Sequence, residues 1–227
     1  MPADFMQTVA DYLESSIAFA IFGLLHSVGA REPCKALLER WCGAFFVDHC
    51  WRLIYCALSF TALYYGISRL HWVAHPSGDT WLILYPDWLW MILLVLHLGS
   101  VAFGYLAFIQ SDYLEFLGFK QVWRGVRTLA GRPPARPLAL FGQARLEVRG
   151  VYGVVRHPML VAGFWFLLTS GPSRNNLIYL LMYTVYMLIG GYYEEKRLVR
   201  IFAGQYLDYR RRVGAFFPRI PTRSIAP

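Results

Sequence analysis

The feature that most restricts the fold of this chain is an apolar segment, Trp88–Ile109, that contains no Asp, Glu, Lys or Arg. A helix needs roughly 20 mostly apolar residues to cross the hydrocarbon core of a bilayer, so this segment is long enough to span one. The composition agrees, because 57% of the 227 residues are hydrophobic and only 16% are charged. A soluble domain needs a more polar surface than this. We therefore predict an integral membrane protein.

Four further segments have the apolar character of membrane helices, although some of them are short. We predict an all-α integral membrane fold with about five transmembrane helices, because an open sheet edge finds no hydrogen-bond partners in lipid. The predicted spans are Ser15–Ala30, Leu53–Ser68, Trp88–Ile109, Pro158–Ser173 and Asn175–Tyr193.

Apolar residues recur at helical spacing after the last predicted span. They are Leu198, Phe202, Tyr206, Tyr209 and Val213. This pattern predicts a C-terminal cytoplasmic amphipathic helix that lies against the membrane face.

The distribution of basic residues gives the orientation of the spans, since Lys and Arg collect on the cytoplasmic side of membrane proteins. Of the 22 Lys and Arg residues, only Arg69 and Arg174 fall in segments that five spans would place outside. We therefore predict an external N-terminus and a basic cytoplasmic face. We expect the membrane to be the inner membrane of a bacterial cell. The same bias explains the net charge of +8 without a nucleic-acid partner.

The cysteines and the N-terminus give two smaller predictions. The four cysteines form no C-x-x-C pair, so we predict reduced thiols and no metal site; they are Cys34, Cys42, Cys50 and Cys56. The opening sequence MPADFMQTVADYLESS is acidic where a signal peptide would be basic, so we expect no cleavable signal.

A connector with several prolines and glycines divides the chain. Its sequence, GRPPARPLALFGQ, cannot continue a helix. We predict an N-terminal three-helix part with its cytoplasmic loop at 1–130 and a connector at 131–149. A C-terminal unit, made of a helix hairpin and a tail, would then occupy 150–227.

Two polar motifs stand at the cytoplasmic edge of the last two predicted spans. The first is GVYGVVRHPMLVAG, in which Pro158 disfavours helical geometry at His157 and so leaves backbone groups free for a ligand. The second is YYEEKRLVRIFAGQYLDYRRRV, in which the adjacent carboxylates of Glu194 and Glu195 need positive partners at a membrane edge. Taken singly, both motifs are also typical of positive-inside anchors and solvated helix faces.

The order of these motifs resembles the isoprenylcysteine carboxyl methyltransferase superfamily. The pattern R-H-P-M-x-x-x-G, a short hairpin, E-E-x-x-L-x-x-x-F-x-x-x-Y-x-x-Y-x-x-x-V and a closing F-P-R-I-P covers Gly150–Pro221. The resemblance implies a cytoplasmic pocket for S-adenosylmethionine, formed by the hairpin and the tail. Met159 replaces the aromatic residue that usually follows the proline. The implied cofactor contacts are Tyr152, Arg156, His157, Pro158, Glu194, Glu195, Tyr206, Arg210 and Phe217.

The N-terminal half narrows the resemblance to one branch of that superfamily. FGLLHSVGAREPCKALLER followed by WRLIYCALSF resembles the start of NnrU-type and methanethiol S-methyltransferase proteins. SDYLEFLGFKQVW resembles the segment after the third span of the methanethiol enzymes. This branch implies a small thiol as the methyl acceptor, at a site that would draw on His26, Ser27, Asp112, Gln121 and Arg124.

A thiol acceptor requires activation, because a thiol with a pKa of about 8.5 must lose its proton before it attacks. The candidate catalytic residues are therefore Arg156, His157, Glu195 and His26. His157 or His26 would be the base, and Arg156 or Arg124 the charge that favours the thiolate. His26 alone is more typical of a histidine that bonds a neighbouring helix. The loop residues Asp112, Gln121 and Arg124 are equally typical of a solvated loop.

The prediction from sequence is an S-adenosylmethionine-dependent membrane methyltransferase that S-methylates a small thiol such as methanethiol. One alternative is methylation of an isoprenylcysteine carboxylate or another lipid-like acceptor. Another is a non-methylating NnrU-type membrane protein that holds haem through His26 and His97.

Overall fold

The computed structural model describes residues 3–68, 82–132 and 146–219, with side chains from residue 9 onward. Most of the predicted connector, the loop of Arg69 and the closing Ile220–Pro221 lie outside these ranges. Within them the chain is helical, and no residue belongs to a β-strand. The helices are α1 (Ala3–Gly29), α2 (Glu32–Cys42), α3 (Ala44–His49), α4 (Trp51–Ser68), α5 (Asp87–Gln110), α6 (Tyr113–Leu117), α7 (Phe119–Leu129), a short 3-10 helix (Gly150–Gly153), α8 (Pro158–Thr169) and α9 (Arg174–Arg212).

The chain forms two compact units, and each is made from two separate stretches of sequence. Unit 1 comprises Met1–Trp81 and Leu114–Gly142, and unit 2 comprises Leu82–Tyr113 and Gln143–Pro227. Helix α5 therefore packs in the same unit as α8 and α9, whereas the linear division of the sequence grouped it with the N-terminal helices.

Helices α1 and α4 form the centre of unit 1, and small residues allow their close approach. The Ser15 hydroxyl donates to the Gly66 carbonyl at 2.8 Å. A Cβ atom at Gly66 would stand only 3.2 Å from the Ala18 Cβ. At the other end, the Trp51 indole donates to the Gly29 carbonyl at 2.8 Å. The four cysteines form no disulfide with one another.

Among the residues that the structure describes, two helices are long and apolar enough to cross a membrane. They are Val9–Gly29 within α1 and Asp87–Gln110, which is α5, with mean hydropathies of 1.3 and 2.2. Only 22% of the apolar segment of α1 and 11% of the apolar segment of α5 is buried, so both helices present apolar side chains outward. A core helix of a soluble domain would be mostly buried, whereas exposed apolar surface of this extent is expected in lipid. The structure thus supports a membrane location.

Helix α8 differs from the span predicted at Pro158–Ser173. It has 12 residues, so at 1.5 Å per residue it is about 18 Å long. The hydrocarbon core of a bilayer is about 30 Å thick. In unit 2, α8 packs against α5 and α9. The five-span arrangement therefore remains a prediction.

Helix α9 runs for 39 residues and contains both the last predicted span and the predicted amphipathic tail. It is interrupted at Ala203, where φ is 44° and ψ is −121°. Beyond the interruption, Tyr206 and Tyr209 are buried together with Leu198, and Leu146 and Val148 are among the residues packed against them. These apolar residues of the tail pack on the chain itself. The predicted position of the tail against the membrane face remains a prediction.

Replacing Ala203 by glycine is expected to stabilise the protein. A residue with a Cβ atom at this positive φ is strained by about 1–3 kcal/mol, whereas glycine adopts the same region readily. We expect Ala203→Gly to raise the free energy of unfolding by about 1 kcal/mol, measured as a higher Tm of the purified protein in detergent. Ala203→Ser keeps the Cβ atom and should show no gain. An unchanged or lower Tm for Ala203→Gly would contradict the strain.

Candidate functional site

Unit 2 brings the two polar motifs together at the start of α8. The main-chain N–H groups of Arg156 and His157 donate to the carbonyls of Gly214 and Ala215, at 2.8 and 3.2 Å. These bonds hold the residues that follow α9 beside the residues that precede α8. His157 has non-helical dihedral angles immediately before Pro158, as predicted from the proline.

The carboxylate of Glu195 is the centre of the site. The Arg156 Nε donates to Glu195 Oε1 at 2.8 Å, and the Arg156 Nη2 also contacts this oxygen. The Arg210 Nε lies 3.5 Å from Glu195 Oε2. Arg156 is 8% exposed, so its charge is largely removed from water and requires a partner.

Arg156 also fixes the main chain of the tail. Its Nη1 donates to the Arg210 carbonyl at 3.2 Å and to the Val213 carbonyl. A planar guanidinium with five N–H donors can serve a carboxylate and two carbonyls at once. The side chain therefore joins the carboxylate of α9 to the last turn of the same helix.

His157 lies between the two adjacent carboxylates. Its Nε2 is 3.3 Å from Glu195 Oε1, and its Nδ1 is 3.3 Å from Glu194 Oε2. The imidazole ring is 5% exposed and packs 5.5 Å from the Phe216 ring. This explains how two neighbouring carboxylates are accommodated here, because each has a nitrogen of the same imidazole as its partner.

The charges of His157 and Glu195 support each other. Burial opposes the imidazolium, but the two carboxylates overcome it and raise the pKa of His157 to about 9. Burial likewise opposes the Glu195 carboxylate, but His157 and Arg156 overcome it and lower the pKa of Glu195 to about 2. At neutral pH the site therefore contains a charged histidine. A charged histidine favours an anion and cannot accept a proton as a base.

These two pKa shifts predict a stability optimum in mildly acidic solution. The His157 contribution is complete below its reference pKa of 6.5 and is lost as the pH rises through about 9. The Glu195 contribution is complete above 4.5 and is lost as the pH falls through about 2. We expect the Tm in detergent to decline above pH 6.5, and His157→Gln to flatten that decline. Parallel alkaline slopes in the two proteins would show that His157 is not charged in the folded state.

A cavity of about 570 Å³ opens beside these charges in unit 2. Ligand pockets have volumes of about 300–1,000 Å³. Gly191 lines it, and a Cβ atom there would stand 2.8 Å from the Phe216 Cζ. The lining residues are Arg156, His157, Leu188, Gly191, Tyr192, Glu195, Lys196, Val199, Arg210, Ala215 and Phe216.

Three tyrosines, Tyr152, Tyr206 and Tyr209, lie next to the charged cluster. The Tyr209 hydroxyl donates to the Tyr152 carbonyl at 2.5 Å, and the Tyr152 hydroxyl donates to the Ala107 carbonyl at 3.3 Å. Tyr206 is fully buried beside them. Burial raises the pKa of Tyr152 to about 12, and it also raises the pKa of Tyr206 and of Tyr209. These hydroxyls therefore stay neutral, and those of Tyr209 and Tyr152 link α9 to α5 through the 3-10 helix.

The cofactor residues implied by the resemblance fall into two groups. Arg156, His157, Glu194, Glu195 and Arg210 meet in one cluster, with Pro158, Tyr152 and Tyr206 in its supporting structure. Phe217 is 77% exposed and is not part of the cavity lining.

Sequence reasoning missed Phe216, Lys196 and Gly191, all of which line the cavity. The Lys196 ammonium lies 4.4 Å from the centre of the Tyr192 ring. Only the main-chain bonds of the tail reveal that Phe216, and not its neighbour, faces His157.

His26 and Ser27 lie in unit 1, in the last turn of α1. The imidazole of His26 is surrounded by aromatic rings, with the ring centres of Phe22, Tyr55 and Phe116 at 5.8, 6.3 and 6.3 Å. In unit 2 the His97 Nδ1 lies 3.1 Å from the Thr169 hydroxyl oxygen. That hydroxyl donates to the Trp165 carbonyl, so it accepts from His97. This bond between α5 and α8 gives His97 a packing role.

Of the three loop residues predicted for the acceptor site, Asp112 belongs to unit 2, and Gln121 and Arg124 belong to unit 1. Asp112 follows α5 with a φ of 55°. In unit 1, Arg124 makes two hydrogen bonds to the Glu115 carboxylate, at 2.9 and 2.7 Å, and the Gln121 amide donates to the same carboxylate at 3.0 Å. Glu115, which sequence reasoning did not name, thus neutralises the charge of Arg124.

The chain is similar to several curated proteins over most of its length. A methanethiol S-methyltransferase from Bradyrhizobium diazoefficiens is 28% identical over 93% of this chain and 74% of the relative. One from Mycobacterium tuberculosis is 26% identical over 89% of this chain and 76% of the relative. Nurim from Rattus norvegicus is 30% identical over 74% of this chain and 60% of that protein.

No family profile matches the chain, and no solved structure matches it significantly. The matched relatives nevertheless include the enzymes that the motifs of both halves of the sequence had indicated. The expected resemblance is therefore confirmed: the chain is similar to methanethiol S-methyltransferases, which is consistent with the isoprenylcysteine carboxyl methyltransferase-like branch.

Proposed function

We propose that this chain is an S-adenosylmethionine-dependent membrane methyltransferase that S-methylates a small thiol. The observation that carries the proposal is the buried pair of Arg156 and Glu195 in the wall of a cavity of about 570 Å³. The two partners come from the two motifs on which the family resemblance rests. Relatives that cover most of the chain are named for methanethiol S-methylation.

The lining of the cavity fits the charged groups of S-adenosylmethionine. That molecule carries a sulfonium, an ammonium and a carboxylate. The Glu195 carboxylate and the Tyr192 and Phe216 rings attract cations, whereas Arg210 and Lys196 attract the carboxylate. Gly191 leaves the space that a side chain would otherwise fill. Each charged group of the cofactor thus has a complementary partner among the lining residues.

The residues of the site mainly hold and orient their ligands. When bound, S-adenosylmethionine supplies an electrophilic methyl group. In-line transfer depends on alignment of donor and acceptor, and a site held by buried hydrogen bonds provides it. Arg156 and His157 lower the pKa of Glu195 to about 2, so the carboxylate is ionised and attracts a cation at neutral pH.

A residue other than His157 must remove the proton of the thiol, because that histidine is already protonated at neutral pH. The positive charges of His157 and Arg210 lower the cost of a thiolate near the cavity. His26 remains the candidate base for the acceptor. The sequence resemblance is the basis for proposing an acceptor-site role for Ser27, Asp112, Gln121 and Arg124.

We propose further that the chain crosses the inner membrane of a bacterial cell five times, with this site on the cytoplasmic face. The proposal rests on the distribution of the 22 Lys and Arg residues and on the two apolar helices. Reporter fusions after Pro76 should therefore read outside, and fusions after Leu140 inside. An inside signal at Pro76 would exclude five spans with an external N-terminus.

The test of the function is methyl transfer by the purified full-length protein, reconstituted in lipid, from labelled S-adenosylmethionine. We expect transfer to methanethiol and none to a farnesylcysteine analogue. His26→Ala should reduce turnover while leaving cofactor affinity nearly unchanged. Transfer to the prenylated compound alone would replace the thiol by a lipid-like acceptor. Absence of cofactor binding in a folded protein would exclude a methyltransferase.

A further inference from the structure

Helix α7 of unit 1 has three faces, and among the described residues the buried face is that of Gln121 and Gly125. Successive residues turn by about 100° around a helix, so Gln121 and Gly125 share one face. The His49 Nδ1 donates to the Gln121 carbonyl at 3.2 Å. A Cβ atom at Gly125 would stand 2.8 Å from the His49 Cβ. The close contact with His49 fixes the rotation of α7 about its own axis.

The second face of α7 is apolar and exposed. Phe119, Trp123, Val126 and Leu129 are 51%, 64%, 51% and 75% exposed. They follow one another at spacings of four, three and three residues, which places them in a single stripe. We call these four residues the α7 stripe. Because the opposite face is fixed against His49, the stripe is held away from α3.

The third face is basic and lies between the stripe and the buried face. It contains Lys120, Arg124 and Arg127, and Arg132 follows the helix. Arg124 is neutralised by its two hydrogen bonds to Glu115. Arg127 is exposed and adjoins the stripe. An apolar stripe with a tryptophan, bordered by cations, is the pattern of helices that lie in a membrane interface.

We propose that α7 lies in the plane of the membrane surface, with the α7 stripe among the acyl chains and Arg127 on the phosphates of anionic lipids. The helix has 11 residues, so it is about 16 Å long and too short to cross a bilayer. The charge complementarity of its basic border selects an anionic lipid surface as the partner. Neither the α7 stripe nor Arg127 is among the residues proposed for the cofactor or the acceptor, so the inference does not depend on that activity.

The first test measures where α7 lies. In the full-length protein with the native cysteines replaced by serine, single nitroxide labels are placed at Val126→Cys, Arg127→Cys and Thr128→Cys. The protein is reconstituted in vesicles of phosphatidylcholine with phosphatidylglycerol. We expect the label at 126 to be relaxed by oxygen more than by a water-soluble nickel chelate. The label at 127 should be accessible to nickel, and the label at 128 less accessible to both. A label at 126 that is exposed to nickel, or shielded from both agents, would overturn the proposal.

The second test measures the lipid preference. Each basic residue near an anionic surface contributes about 1 kcal/mol, or about fivefold in affinity. We expect Arg127→Gln to lower the preference for spin-labelled phosphatidylglycerol over phosphatidylcholine by up to about fivefold, and high salt to reduce it further. Arg127→Lys retains the charge and should retain the preference. An unchanged preference in Arg127→Gln would overturn the role of anionic lipid.

Discussion

Glu195→Gln is expected to abolish high-affinity binding of the methyl donor. The substitution removes the negative charge that Arg156, His157 and Arg210 share, and it leaves a guanidinium that is 8% exposed without its ion partner. Removing one partner of a buried ion pair costs about 3–5 kcal/mol. We therefore expect the affinity for S-adenosylmethionine to fall by about 100-fold or more, measured by calorimetry on the purified protein.

Asp208→Asn is the matched control, because it removes a carboxylate from the same helix. Asp208 pairs with Arg211 at 3.5 Å, but both side chains are largely exposed, at 66% and 80%. Exposed pairs contribute about 0–1 kcal/mol, so the affinity should hardly change. If Glu195→Gln does not fold, Arg156→Lys is the second variant, since it retains the charge and loses the planar contacts. Affinity equal to wild type in both folded variants would show that the cluster does not hold the donor.

Gly191→Leu is expected to block the cavity while leaving the helix intact. A Cβ atom at this position already stands 2.8 Å from the Phe216 Cζ, and the rest of the leucine side chain would occupy space that the ligand needs. Leucine is a better helix former than glycine by roughly 0.8 kcal/mol, so α9 should not be weakened locally. We expect donor affinity to fall by at least about 100-fold, measured in the same calorimetric experiment.

Gly190→Leu provides the control for the effect of a larger side chain in α9. A Cβ atom at Gly190 would have the Tyr186 ring as its nearest neighbour, at 4.0 Å. The two substitutions gain the same helix propensity and add the same volume, but only Gly191 lines the cavity. Comparable affinity in the two variants would show that the donor binds elsewhere.

The local pattern of the sequence determined several parts of this protein. Apolar segments located α1, α4 and α5, because burial in lipid requires an apolar composition over the whole length of a helix. Pro158 located the start of α8 and the non-helical geometry of His157, since its ring acts on its own neighbours. The R-H-P and E-E motifs also predicted which charged residues would meet, because two isolated carboxylates at a membrane edge require cations.

Other features depend on residues that are distant in sequence, and only the tertiary structure decided them. Helix α5 belongs to the unit of α8, the α9 tail packs on Leu146 and Val148, and Phe216 faces the cavity. The periodicity of the tail predicted one apolar face, but a periodic pattern carries no information about what covers that face. The charge state of His157 also depends on residues that are distant in sequence. It follows from two carboxylates that lie 37 and 38 residues further along the chain, and from the burial that opposes them.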